Sequence, residues 1–310
     1  MSKTAFVFPG QGAQAVGMGK DIYEAHEGAR AVFEQADAAL GFALSDMIFN
    51  GPDDALKQTA NTQPALLTVS VALLKALQDK GLTADYVAGH SLGEYSALVA
   101  AGALSFEDAV KTVRARGQFM EAAVPGGQGA MAATLGAERE ALAALCASVS
   151  SEGEAYAVEL ANINCPGQIV VSGAAAGVQA VVERGKEAGA KRVIPLEVSG
   201  PFHSSLMKPA ADKLAGVLES VAISDAAVPV VANVTARPVS AASDIKKLLV
   251  EQVYSPVLWE DSVKYLIEQG VDTFVEIGSG TVLAGLIKKI DKSVKIISVN
   301  SLESLSNVEV

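Results

Sequence analysis

Tyr86-Val-Ala-Gly-His-Ser-Leu-Gly93 decides the fold. Tyr86 to Ala88 reads as a short strand and Leu92 to Ala101 as a helix. Gly89-His90-Ser91-Leu92-Gly93, the one G-x-S-x-G in the chain, therefore sits on a strand-to-helix turn. Small residues on either side allow a turn sharp enough to expose a serine hydroxyl. The backbone N–H of Leu92 would then point toward charge developing at the serine, beside a helix N-terminus. The competing reading is an ordinary glycine-rich loop between strand and helix; the flanking elements favour a nucleophile.

Outward from that turn, short β-branched or aromatic runs alternate with helical patterns. Thr4–Phe8 precedes Pro9-Gly10-Gln11-Gly12, Val228–Val231 follows the middle of the chain, Thr273–Ile277 precedes Gly278-Ser279-Gly280, and Lys295–Val299 comes last. Ala65–Leu77 and Asp261–Glu268 read as amphipathic helices. Strands alternating with helices predict a parallel sheet covered on both faces.

The middle has another order. After Pro125-Gly126-Gly127 come strand Ala130–Leu135, helix Ala137–Val149, strand Ala157–Ile163, the turn Asn164-Cys165-Pro166-Gly167, strand Gln168–Ser172, helix Ala176–Ala188 and strand Arg192–Val198. This β-α-β-β-α-β pattern is the split βαβ arrangement. The expected organisation is a large α/β domain from residues 1–124 and 199–310, with residues 125–198 inserted as a small ferredoxin-like domain. A cleft between the two is the natural place for a site.

Composition narrows the function. Half of the 310 residues are hydrophobic and 19% are charged, which suits a packed core rather than a disordered chain. The charge, 24 − 35 = −11, repels phosphate backbones at long range and disfavours nucleic-acid binding. Lys75 interrupts the longest apolar run, so no membrane span is expected. Lys3-Thr-Ala-Phe-Val-Phe8 is too short for a signal-peptide core, and two cysteines, Cys146 and Cys165, suggest neither a disulfide framework nor a metal site. A reducing, cytoplasmic compartment is expected.

A nucleophilic serine needs a base, and the chain offers three histidines. His90 adjoins Ser91 on a tight turn and projects away from it; His26 lies among exposed-type helical residues. His203, in the Gly200-Pro201-Phe202-His203 loop after the insertion, remains as the candidate base. No acid can be singled out to orient it; a backbone carbonyl or an amide would serve.

Ser105-Phe-Glu-Asp108 is a helix-start signature. At ~100° per residue, Phe106, Ala109, Val113 and Met120 form one stripe that includes Arg116, while Lys111, Arg114 and Gln118 point away. An arginine in an apolar stripe needs an anionic or hydrogen-bonding partner. An internal salt bridge and a substrate carboxylate gripped by the guanidinium fork are equally good readings of that spacing. Gly10-Gln-Gly-Ala-Gln-Ala15 resembles a dinucleotide-binding loop, but Ala29–Leu40 reads as helix where the acidic strand end belongs. That loop suits a second oxyanion N–H, from Gln11.

Six blocks stand in order: Phe8-Pro-Gly-Gln-Gly-Ala-Gln14, Gly89-His-Ser-Leu-Gly-Glu-Tyr-Ser96, Arg116-Gly-Gln-Phe-Met120, Asn162-Ile-Asn164 with Gln168-Ile-Val-Val-Ser172, Phe202-His203, and Gln252-Val-Tyr-Ser-Pro256. Together they resemble the malonyl-CoA:acyl carrier protein transacylase family over nearly the whole chain. The resemblance implies an α/β-hydrolase-like large domain with a ferredoxin-like insertion. It implies malonyl transfer from malonyl-CoA to the phosphopantetheine thiol of acyl carrier protein, in fatty acid synthesis, through a malonyl-serine ester and with no bound cofactor or metal. It assigns Ser91 as nucleophile, His203 as base, the N–H groups of Gln11 and Leu92 as oxyanion hole, and Arg116 as the holder of the malonyl carboxylate. Gln252 would orient His203 through its backbone carbonyl, Asn162 would line the site, and Phe202 matches a malonyl-preferring loop.

An acidic carrier protein needs a local basic surface on an acidic enzyme. Lys191-Arg192, Lys246-Lys247 and Lys288-Lys289 are the dibasic candidates, the first and third nearer the expected cleft. Rival readings are a serine esterase or thioesterase using the same pair, with water as acceptor, and a non-catalytic carrier-protein scaffold, for which Ser91, His203 and Arg116 together would be superfluous.

Overall fold

The structure, a computed structural model, describes residues 1–309. Along the chain the strands are β1 (Lys3–Phe8), β2 (Tyr86–Gly89), β3 (Gly129–Leu135), β4 (Val158–Cys165), β5 (Gln168–Ala174), β6 (Arg192–Pro195), β7 (Val230–Val231), β8 (Pro238–Val239), β9 (Val257–Leu258), β10 (Val271–Ile277) and β11 (Lys295–Val299). The first sheet has the order β11-β10-β1-β2-β7-β8, parallel throughout except for the antiparallel edge strand β8.

Side-chain alternation divides this sheet's two faces. Phe6, Phe8, Val87 and Val275 enter a core built around helix Thr59–Asp79, whereas Ala5, Val7, Ala88 and Phe274 pack against helices Trp259–Glu268 and Val282–Ile290. Helix Thr59–Asp79 contains Ala65–Leu77, and between those two residues only Lys75 is exposed. The expected amphipathic helix is therefore a central one, apolar nearly all round because it is covered on every side.

The register Ala5↔Tyr86 through Phe8↔Gly89 brings the ends of β1 and β2 level. The Pro9–Gly12 loop and the Gly89–Gly93 turn thus leave adjacent parallel strands side by side, at the carboxyl edge where α/β sheets bind ligands. The second sheet, β6-β3-β5-β4-β9, has the β-α-β-β-α-β chain order from β3 to β6, with helices Arg139–Ser150 and Ala175–Arg184 on one face. Its fifth strand, β9, comes from chain beyond residue 198 and pairs parallel to β4 through Asn162↔Val257 and Ile163↔Leu258. Arg139 adds a bidentate ion pair to Asp261, 2.9 Å on each arm. Near the cleft β4 slips register between Leu160 and Asn162, and β6 ends at Pro195, earlier than expected, leaving Leu196 and Val198 to line the cleft.

Candidate active site

The turn after β2 is built by exclusion of side chains. A Cβ on Gly89 would lie 1.9 Å from the Gly93 carbonyl, and one on Gly93 would lie 2.1 Å from the Phe8 oxygen. Ser91 between them takes φ 52°, a left-handed conformation that is costly for a residue with a Cβ. Three bonds hold it there: Asn233 Oδ1 accepts from the Ser91 N–H at 2.8 Å, Asn233 Nδ2 donates to the Gly89 oxygen at 2.6 Å, and Gln252 Nε2 donates to the Ser91 oxygen at 2.9 Å. Gly93→Ala is expected to destabilise the protein by about 3 kcal/mol or more, since neither the β1 backbone nor the turn can yield; urea unfolding with an unshifted midpoint would contradict this packing.

His203 has φ 57° and is 3% exposed. Its Nδ1 is 2.8 Å from the Gln252 backbone oxygen and its Nε2 is 2.7 Å from Ser91 Oγ. A carbonyl only accepts, so the proton sits on Nδ1, and Nε2 is free to accept from the serine. Burial, together with the positive charge of Arg116, pushes the imidazole pKa down to about 3. The ring is therefore neutral, the form a base requires.

Arg116 comes from helix Phe106–Ala122, which starts as expected with Ser105 Oγ accepting from the Asp108 N–H at 3.1 Å. The predicted stripe is buried, and Arg116 with it at 1% exposure. Arg114, expected to point away, is instead half-buried and bonds Ala60 and Asn61. Arg116 donates to Gln63 Oε1 at 2.7 Å, to Gln252 Oε1 at 3.1 Å and to Ser91 Oγ at 3.3 Å, and its Nε has no partner. Among the described residues no carboxylate lies within ion-pair distance of it. The internal salt bridge allowed by its spacing is absent there: the guanidinium is held by neutral groups, with its fork beside the serine.

The backbone N–H groups of Gln11 and Leu92 have no acceptor among the described residues, as an oxyanion site requires. A cavity of about 120 Å³ beside Ser91 and His203 is lined by Gln11, Met120, Met131, Asn162, Val198 and Phe202, among others. It is well below the ~300 Å³ at which drug-sized ligand pockets begin. A groove of about 380 Å³ shares Gln11, His90, Asn162 and Leu196 with it and runs out past Val170 to Val282 and Leu286. Of the other histidines, His90 bonds Asn164 Oδ1 through Nε2 at 2.8 Å. His26 lies between two helices rather than within one and caps the second, its Nδ1 accepting from the Ala29 N–H. Lys191, Arg192, Lys288 and Lys289 are exposed, as is Lys247, whereas Lys246 is half-buried.

Spacing did not point to Gln63, Glu94 or Asn233. Asn233 lies in the loop between β7 and β8 and clamps the serine turn, Gln63 holds Arg116, and Glu94 is a buried carboxyl group that accepts from the Asn233 N–H and from Gln252 Nε2. The one available signal was Glu94, a charge in a helix whose first six residues are otherwise apolar, small or aromatic.

A serine–histidine pair and a buried arginine at the carboxyl edge of a parallel sheet define a serine-dependent acyl-transfer class. The acyl transferase domain model matches residues 5–305. A malonyl CoA-acyl carrier protein transacylase of Bacillus subtilis (strain 168) is 57% identical over 305 residues, covering 98% of this chain and 96% of that protein. The crystal structure of an acyl carrier protein S-malonyltransferase from Vibrio cholerae O1 superposes with a TM-score of 0.96 at 46% identity, over 99% of this chain and 100% of that one. A malonyl-transacylase solved with its type II polyketide acyl-carrier protein superposes at 0.95, with 43% identity and 98% of each chain covered. The chain belongs to the acyl transferase family and, within it, to the malonyl CoA-acyl carrier protein transacylases.

Proposed function

We propose that this enzyme moves a malonyl group from malonyl-CoA to the phosphopantetheine thiol of an acyl carrier protein by a ping-pong route. The observation that carries the reading is the Arg116 fork, buried, held by neutral amides and 3.3 Å from the Ser91 hydroxyl. A carboxylate there would complete its hydrogen bonding and place an adjoining thioester carbonyl at the serine.

His203 Nε2 takes the Ser91 proton as Oγ bonds to the thioester carbonyl carbon. The oxyanion rests on the Leu92 and Gln11 N–H groups, each worth on the order of 10²- to 10³-fold in rate. The C–S bond then breaks and the proton on Nε2 passes to the departing thiolate, leaving a malonyl ester on Ser91. The carrier protein's thiol gives its proton to Nε2 and attacks that ester. Collapse of the second oxyanion releases Ser91 Oγ, which recovers the proton. The small cavity suits the three-carbon acyl group and the longer groove suits the extended arm. Neither cofactor nor metal enters any step. Two buried free thiols, Cys146 and Cys165, fit a cytoplasmic setting.

The carrier protein docks, in this reading, on basic residues at the groove mouth. Lys288 and Lys289 end the helix that carries Val282 and Leu286, while Lys191 and Arg192 precede the cleft-lining Leu196. Lys288→Glu with Lys289→Glu is expected to raise KM for carrier protein about tenfold and to leave that for malonyl-CoA unchanged. Equal effects on both substrates would refute the docking assignment. A serine hydrolase would use the same pair, and the lifetime of the malonyl ester separates the two activities.

A further inference from the structure

Beneath the site lies a buried carboxylate that the transfer chemistry does not use. Glu94 is 3% exposed and, among the described residues, has no cation within ion-pair distance. Its Oε1 accepts from the Asn233 N–H at 2.7 Å and its Oε2 accepts from Gln252 Nε2 at 3.1 Å. Burying a charge on two neutral donors is costly, and burial pushes the Glu94 carboxyl pKa up to about 7 against the hydrogen bond from the Asn233 N–H.

The same Gln252 amide presents its oxygen to Arg116 at 3.1 Å. When Glu94 is ionised, one amide bridges a cation and an anion, oxygen toward the guanidinium and nitrogen toward the carboxylate. With Glu94 ionised, flipping that amide would set donor against donor at Arg116 and acceptor against acceptor at Glu94, so its orientation is fixed. Gln252 Nε2 also reaches the Ser91 oxygen and Asn233 Oδ1, and the Gln252 backbone oxygen holds His203 Nδ1. Ser91, His203 and Arg116 thus meet at one residue, and Glu94 is the one ionisable acceptor holding its side chain.

We propose that Glu94 is a positioning residue: through the Gln252 amide its carboxylate fixes both the arginine that takes the acyl carboxylate and the histidine that activates Ser91. The proposal rests on the transferase reading for its substrate but not for its geometry. Glu94→Gln probes it with little change of shape. The variant's carbonyl can still accept from the Asn233 N–H, but its NH₂ then faces the Gln252 NH₂, donor against donor.

Two rates read the two arms. Malonyl uptake from malonyl-CoA, followed by intact mass, needs Arg116, His203 and Ser91. Sulfonylation by phenylmethanesulfonyl fluoride, a neutral reagent, needs Ser91 and His203 only. Glu94→Gln is expected to slow both roughly 10- to 100-fold and by similar factors, whereas Arg116→Ala is expected to slow the first far more than the second. In a Gln252→Ala background, which keeps the backbone carbonyl and removes the opposing NH₂, Glu94→Gln is expected to cost less than about threefold, because it acts through a group no longer present. A merely structural carboxylate would cost the same in both backgrounds, and that additivity would overturn the proposal. So would a folded Glu94→Gln enzyme within twofold of the parent in both rates. Should Glu94→Gln not fold, Gln252→Ala alone must still slow both reactions, and unaffected rates in it would overturn the proposal equally. A parent enzyme that takes up no malonyl group would sink the transferase reading instead, leaving sulfonylation to test Glu94 independently.

Discussion

Ser91→Ala, His203→Ala and the double variant are expected to lose malonyl transfer to nearly the same extent, on the order of 10⁴- to 10⁶-fold in kcat, because nucleophile and base act as one unit. The 2.7 Å bond from Ser91 Oγ to His203 Nε2 is the basis. With the imidazole held neutral and its Nδ1 proton committed to the Gln252 carbonyl, removing either partner leaves the other with no role in proton transfer. Single-turnover malonylation of the three variants checks this. Losses that multiply in the double variant would mean that Ser91 and His203 contribute separately.

Arg116→Ala carries the second large effect. Removing a buried guanidinium that pairs with a substrate carboxylate costs about 3–5 kcal/mol, so kcat/KM for malonyl-CoA is expected to fall roughly 10²- to 10⁴-fold. Acetyl-CoA is expected to respond in the opposite sense. In the parent enzyme a neutral acyl group would strip water from Arg116 without replacing its hydrogen bonds, and in the variant that penalty disappears. The ratio of kcat/KM for the two thioesters is the quantity to measure. A variant that kept full malonyl preference would show that the carboxylate is held elsewhere.

Much of this architecture was legible in the sequence where a local rule forces the outcome. Gly89 and Gly93 flank a turn that tolerates no Cβ, so the serine turn could be located from five residues. The stripe from Phe106 to Met120 placed Arg116 inside the protein, because the helical period fixes which face a residue occupies. Periodicity gives a face and not a partner, however. The choice between an internal salt bridge and a substrate carboxylate needed Gln63 and Gln252, which lie 53 and 136 positions away. The two-residue strands β8 and β9 are too short to carry a period, whereas β7 lies within the expected run Val228–Val231; with the two unread strands went Asn233, in the loop before β8, and the fifth strand of the second sheet. Ala65–Leu77 misled for a related reason. One lysine in an apolar run suggests a polar face, yet Lys75 is merely where that central helix touches solvent.

Intact-protein mass measurement after mixing with malonyl-CoA separates transfer through a malonyl-Ser91 ester from hydrolysis. A lasting gain of one malonyl group is expected, absent in Ser91→Ala, small or absent with acetyl-CoA, and discharged on adding acyl carrier protein. Release of free CoA with no adduct at any time would contradict it and assign the Ser91–His203 pair to hydrolysis.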